Sequence, residues 1–387
     1  MARLKIKLAR NLRRSIMRGQ PWVYKEALAS APAESRACLA QVLDAKGELA
    51  WAIYDPHGPL SLRILSQEKS PPTPAFFEKR MRHAWALRDC VRSETTNAYR
   101  LFNGEGDLLP GLICDIYDQV AVLQFDGRGP SEYWDKAWIA QWLMADAGVQ
   151  TVIEKNRRST ERTIEVLEGT LASPEVIILE NGARFAVNLE KGQKTGFFLD
   201  QRDNRQYSGR VSRGHSVLNL FSYSGGFSVF AGLGGASKVA SLDVSKGAIE
   251  MAEANWKLNG LDPALHTGLC VDVFEYLREA GGESWDHILV DPPSMSHDES
   301  GKEIAKLKYI ELFAAATKRV RTGGLLSLSS CSSHISFADF FLIIEESLSQ
   351  ARRRGRTMRV SGQGPDHPFP HAGHELRYLK FVHLALD

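Results

Sequence analysis

Cysteine is sparse in this chain of 387 residues, with five, and Cys38, Cys90, Cys114, Cys270 and Cys331 are widely scattered. There is no C-x-x-C pair and no Cys/His cluster at zinc spacing, so neither a disulfide framework nor a structural metal is expected. A reducing cytoplasm fits that usage. No stretch approaches 18 consecutive apolar residues, which argues against a membrane span. The N-terminal "MARLKIKLARNLRRSIMRGQPW" is basic but has no apolar core of the secretory kind. Internal repeats and low-complexity tracts are also missing. Carboxylates are wholly absent from residues 1–25, which carry Arg3, Lys5, Lys7, Arg10, Arg13, Arg14, Arg18 and Lys25.

That run is one of two basic clusters, the other being Arg352, Arg353, Arg354, Arg356 and Arg359. Net charge is only +2, so the clustering rather than the total suggests a polyanion partner such as nucleic acid. Apolar residues make up 43% and charged residues 24%, as in a soluble globular protein. The length suits two or three domains.

Residues 1–68 alternate short apolar and polar pieces with turn signals ("DAKGEL", "DPHGPL"), which predicts a small β-rich domain. "SQEKSPPTPAF" is a Pro/Ser-rich linker. A helix is expected through "FFEKRMRHAWALRDCVR", two strands through "LLPGLICDIYDQVAVLQF", one helix through "EYWDKAWIAQWLMADAG" and a strand at "TVIEKN". From about 176 onward, strand-like runs alternate with helical patterns, the mark of a doubly wound, mainly parallel α/β sheet.

In such a sheet, ligands bind beyond the carboxyl ends of the strands. The first strand, "SVLNLFS", runs into "YSGGF", where Gly225 and Gly226 let backbone approach a ligand at the next helix. The second strand ends in Asp243, and an acid there can accept from ribose hydroxyls. Asp272 follows the third. No G-x-G-x-x-G follows the first strand, and "GLGG" at 232–235 reads as a helix stop. One Gly-rich turn followed by acids at successive strand ends suits S-adenosylmethionine better than a dinucleotide. The fourth strand closes on "DPPS", where the prolines fix the backbone around Asp291.

"QPWVY", "GEGDLLPGLICDIY", "EKGQKTGFFLDQRDNR", "LNLFSYSGGFS", "LDVSKGAIEMAEANWKLNGL", "ILVDPPS", "LSSCSS" and "DHPFPHAGHELRYLK" occur in this order across nearly the whole chain. In these motifs the chain resembles the PUA-domain-containing class I S-adenosylmethionine-dependent 23S rRNA cytosine-C5 methyltransferases. The resemblance implies a PUA-like RNA-binding domain over 1–70, an α+β connector over 71–175 and a Rossmann-like methyltransferase domain over 176–387. It also implies a cofactor pocket lined by Phe198, Gln201, Asn219, Phe221, Tyr223, Ser224, Gly225, Asp243 with Val244, Asp272 with Val273, and Asp291. Large-subunit ribosomal RNA is the implied partner, with no membrane and no metal. Oligomeric state stays open, a homodimer being one option. Two departures stand out: Ser294 replaces the family's lysine after D-P-P, and "KLKYIEL" replaces its Gly-Tyr-Lys segment.

Cytosine C5 does not attack a sulfonium methyl unaided, whereas addition of a thiolate at C6 makes it enamine-like. Cys331, after "LLSLSS" and between serines expected to leave room for a base, is the expected nucleophile, and Asp291 the group holding the N3/N4 edge. None of the other four cysteines is expected at a strand end facing the crevice. "DPPS" lacks the second cysteine that some RNA cytosine-C5 enzymes place there, so another base or water must serve release. His334 is read as a structural histidine, "HPFPHAGH" as a loop near substrate, and Arg377 or Lys380 as phosphate contacts. Two alternatives remain: methylation of a purine nitrogen without a covalent intermediate, and a non-catalytic RNA-binding assembly factor.

Overall fold

The computed structural model describes residues 4–156, 164–279, 282–295 and 300–387. Arg3 of the N-terminal basic cluster lies outside them. The chain forms two interleaved compact units, one comprising Met1–Ile178, Val187–Leu199 and Pro365–Leu376, the other Leu179–Ala186, Asp200–Gly364 and Arg377–Asp387. Among the described residues no helix is long and apolar enough to cross a membrane.

In the first unit, alternation of apolar and polar residues builds a five-stranded sheet from Leu4–Lys7, Trp22–Tyr24, Cys38–Asp44, Gly47–Tyr54 and Leu60–Ser66. Its inward residues, including Ile6, Val42, Ala52 and Leu62, are essentially unexposed. A second five-stranded sheet holds Leu112–Tyr117 and Val120–Phe125, the two strands expected, paired antiparallel around a turn at left-handed Asp118. The single helix expected through "EYWDKAWIAQWLMADAG" is two helices, Arg128–Tyr133 and Lys136–Asp146. Asp135 interrupts it by capping the second, accepting from the Trp138 N–H at 3.0 Å.

Arg63 joins these two sheets, donating to Glu105 at 2.5 Å and to Asp126 at 2.9 Å, while Trp22 Nε1 donates to the same Glu105 oxygen at 2.8 Å. A second buried network ties "KGQKTGFF" and "DHPFPH" to the second sheet. Asp115 accepts from Arg100 Nε and Nη2 at 2.7 and 2.8 Å and from the Thr195 hydroxyl at 2.5 Å. Burial pushes the Asp115 carboxyl up, but the Arg100 charge and these bonds outweigh it and hold it below its ordinary range. Tyr117 pairs with Thr195 and accepts from the Phe197 N–H, and Asp366 accepts from the Arg100 N–H at 3.0 Å. The "HPFPHAGH" segment thus belongs to this first unit, with His367 buried against Asp366.

The second unit is built on a seven-stranded sheet: β1 (Ser216–Leu220), β2 (Lys238–Asp243), β3 (His266–Cys270), β4 (Trp285–Val290), β5 (Val320–Ser330), β6 (Gly355–Ser361) and β7 (Lys380–Leu386). Its order is β3-β2-β1-β4-β5-β7-β6, parallel through β5, with β7 antiparallel to β5 and β6. The helices are α1 (Arg202–Arg210), α2 (Gly226–Leu233), α3 (Lys246–Leu258), α4 (Val273–Arg278), α5 (Lys302–Lys318) and α6 (Phe337–Gln350). Leu218, Leu220, Ile288, Val290, Leu326 and Leu328 form the buried face against α5 and α6 residues such as Phe313 and Phe340. Apolar runs become strands here because both faces of a parallel sheet are covered. The order reverses between β1 and β4, which puts a ligand crevice at their carboxyl ends.

Candidate active site

The loop after β1 carries unusual backbone. Phe221, Tyr223 and Gly225 have φ of 57°, 45° and 77°, so three alternate residues lie in the left-handed region. For the two non-glycines this costs about 1 kcal/mol or more each, and such strain persists only where surroundings impose it. Asp243 is one cause, since its two oxygens accept from the N–H groups of Tyr223 at 3.0 Å and Ser245 at 2.9 Å. Asn255 is another, donating to the Ser224 carbonyl at 2.9 Å. Gly225 has no room for a side chain: a Cβ would lie 2.7 Å from the Cβ of Ala252 on α3.

Asn219, buried on β1, donates to the Ser228 hydroxyl at 2.9 Å. Ser228 pairs with Ser241 at 2.7 Å, and Ser241 with His266 at 2.7 Å. Asp272 caps α4, one oxygen accepting from the N–H groups of Phe274 and Glu275 at 2.8 and 3.1 Å. Val273 behind it is buried and Val244 is 71% exposed. A carboxylate oxygen accepts about two bonds, so Asp243 and Asp272 retain acceptor capacity beyond their backbone contacts. Asn219 Oδ1 and Ser222 Oγ are buried without a hydrogen-bond partner among the described residues. A strained Gly-bearing turn, acids with capacity to spare and two unspent buried acceptors fit a polar, adenosine-bearing cofactor.

The ends of β4 and β5 are built differently. Gln201 Nε2 donates both to Asp291, immediately after β4, and to the Ser329 hydroxyl of β5, each at 2.9 Å. Asn204 of α1 orients Gln201 by donating to its Oε1 at 2.6 Å, and the Ser361 hydroxyl of β6 donates to Asn204 at 2.7 Å. One amide thus ties the D-P-P loop to the "SLSSCSS" segment. Cys331 follows directly and is half-buried. Phe198 belongs to the first unit, with the Lys194 ammonium 4.6 Å from its ring centre, whereas the other expected site residues all belong to the second.

Two expectations change here. Ser333 is exposed beside the thiol, whereas Ser329, Ser330 and Ser332 are buried. Their hydroxyls are consumed locally, with Ser330 donating to Tyr309 at 3.0 Å and Ser332 sharing bonds with Tyr309 at 2.9 Å and Ser294 at 3.1 Å. Lys380 does not reach phosphate. It is fully buried, and its amine donates to the carbonyls of Ser332 at 2.5 Å and Tyr378 at 2.8 Å. Nor is Cys331 alone at a strand end, since the exposed Cys270 closes β3.

Of the C-terminal arginines, Arg353 pairs with Asp387 at 3.3 Å and Arg359 stacks 4.6 Å over Tyr207, while Arg352, Arg354 and Arg356 stay exposed. In the N-terminal cluster Arg13 is bound by Asp44 at 2.6 Å, while Lys5, Lys7, Arg10, Arg14, Arg18 and Lys25 are exposed.

Comparison with known proteins gives the family. Residues 134–361 match the S-adenosylmethionine-dependent methyltransferase family model, and residues 6–67 a PUA-like domain. A ribosomal RNA large subunit methyltransferase of Deinococcus radiodurans is 35% identical, over 100% of this chain and 98% of its own. Ribosomal RNA large subunit methyltransferase I of Alteromonas mediterranea is 33% identical over 95% of each chain. SMU.776, crystallised in complex with SAH, shares the fold over 100% of both chains with a TM-score of 0.86 at 24% identity. With its methyltransferase core and its PUA-like module both matched, the chain belongs to the family of S-adenosylmethionine-dependent ribosomal RNA large subunit methyltransferases.

Proposed function

We propose that this protein methylates C5 of a cytosine in large-subunit ribosomal RNA, with Cys331 forming a covalent bond to C6 of the base. The observation that carries the reading is the link made by Gln201, whose single Nε2 holds the Asp291 carboxylate and the β5 segment ending in Cys331. A base-edge acceptor and a thiol are thereby fixed to one short stretch of the carboxyl edge.

Asn219, Phe221, Tyr223, Ser224, Gly225, Asp243, Val244, Asp272 and Val273 would hold S-adenosylmethionine together with Gln201 and Asp291. The bound cofactor supplies an electrophilic methyl group. The Cys331 thiolate adds to C6, and the electron pair of the C5–C6 double bond becomes available at C5 for the new C–CH3 bond. Asp291, on the N3/N4 edge, favours protonation of the ring and so makes C6 more electrophilic. Loss of the C5 proton to water or a nearby base then reforms the double bond and expels the thiolate.

The relatives' names support ribosomal RNA as the substrate. In this reading residues 1–70 hold flanking RNA through shape and phosphate contacts, 71–175 connect, and 176–387 carry the chemistry. A target base within a stem must be unstacked to reach the thiol. Nucleoside mass spectrometry of ribosomal RNA from cells with and without the protein tests the proposal. Loss of one 5-methylcytosine in large-subunit RNA is expected. Loss of a methylated purine instead, or no change, would overturn it.

A further inference from the structure

Lys380 is the buried charge that the reaction above does not use. It opens β7 and pairs in register with Ser330, the residue before Cys331. Its side chain is wholly unexposed, and its amine donates to the carbonyl of Ser332, the residue after Cys331, at 2.5 Å. The other recorded bond goes to the Tyr378 carbonyl at 2.8 Å. An ε-amine has three positions for donors, so two neutral carbonyls neither satisfy nor neutralise an ammonium. Burying such a cation is costly unless an anion stands nearby. We infer that Lys380 is the positioning residue of the nucleophile, taking the Cys331 proton and standing as counter-ion to its thiolate.

The groups around the amine agree. The Lys380 amine is lowered to about 8, burial outweighing the opposing pull of negative charge on Cys331 and Asp339. Asp339 is already engaged, bound by Lys306 at 2.8 Å and Lys302 at 3.2 Å and closing the capping box of α6. Tyr309 of α5 is pushed up to about 12 by burial and stays a neutral hydroxyl. His334 lies in the same loop as the thiol. The amine is therefore poised near neutrality beside a thiol, and the other acid within its field is occupied. In the step itself the Cys331 S–H bond breaks and a Lys380 N–H bond forms, with no net change of charge. The ammonium remains beside the thiolate before it adds to C6 and when it leaves.

The inference rests on Cys331 as the nucleophile, but its test needs no methyl transfer. Full-length protein is alkylated with iodoacetamide from about pH 5 to 10, and modification of the Cys331 peptide is followed by mass spectrometry. In the native protein the reactivity midpoint is expected below the ordinary thiol value of about 8.5. Lys380→Met should move it up by at least about one pH unit, lowering reactivity near neutrality roughly tenfold. Lys380→Arg should keep the low midpoint, and the acid limb of the methylation profile should move with the alkylation profile while cofactor affinity holds. A native midpoint at or above about 8.5 overturns the inference without any variant, as does an unshifted profile in a folded Lys380→Met protein. A Cys331→Ala protein that still methylates would end the nucleophile reading and leave the ion pair standing.

Discussion

The carboxyl edge of the methyltransferase sheet has two halves made of different materials. At β1–β3 the loops are set by carboxylates bonded to backbone N–H groups: Asp243 to Tyr223 and Ser245, and Asp272 to Phe274 and Glu275. At β4–β5 neutral amides and hydroxyls do the setting, through Asn204, Gln201, Ser329, Ser330 and Ser332, around one thiol and one buried amine. Each half has a similar chain of hydroxyls and imidazoles joining the sheet to a neighbouring segment. Asn219, Ser228, Ser241 and His266 lie under the first, and Ser212, His287, Ser327 and His383 under the second. Formal charge at the cofactor half can bind without reacting. At the other half the charged groups, Asp291 and the Lys380 amine, are held in place by neutral amides, hydroxyls and carbonyls.

Removing the nucleophile breaks this contrast most sharply. Cys331→Ala should cost at least about 10³-fold in turnover, with S-adenosylmethionine affinity by calorimetry unchanged. If both fall together, the halves are not separate.

The imidazole chains test what the halves share. Burial lowers His266 and His383 to about 4 and holds His287 well below its ordinary value, so all three are neutral when folded. The unfolded chain takes up these protons first, near the ordinary 6.5. Stability is therefore fully present above that pH and is lost as pH falls toward 4, by about 3 kcal/mol for the unexposed His383. Urea unfolding at neutral and mildly acid pH measures it, and His383→Gln should flatten the dependence.

Smaller effects belong to the individual loops. Gly225→Ala meets both a left-handed φ and the Ala252 collision and should cost about 2 kcal/mol in unfolding free energy while weakening cofactor binding. Gln201→Leu removes the bond from Asp291 to β5, worth about 1 kcal/mol and thus roughly fivefold in turnover. Its effect on the melting temperature should be slight.

Much of this was legible in the residues. Apolar runs of strand length separated by amphipathic helices gave the parallel sheet, because a strand covered on both faces must be apolar throughout. The Gly-bearing turn and the acids closing successive strands were visible as local signals, since a left-handed turn and a helix cap are decided within a few residues. The break at Asp135 was missed although its signal was present: a capping aspartate three residues before the N–H it accepts from.

What the chain alone determined was the set of elements and the chemistry available at their ends, because backbone sterics and hydrophobic periodicity act over short range. Only the tertiary structure decided the fate of the polar residues between them. Lys380 reads as a surface cation until β7 is laid antiparallel on β5 and its amine falls onto the Ser332 carbonyl. Ser330 and Ser332 read only as small neighbours of Cys331 until Tyr309 of α5 engages their hydroxyls. Gln201 meets Asp291 across ninety positions of sequence. Pairings at such separation depend on strand order and register, which a local pattern does not encode.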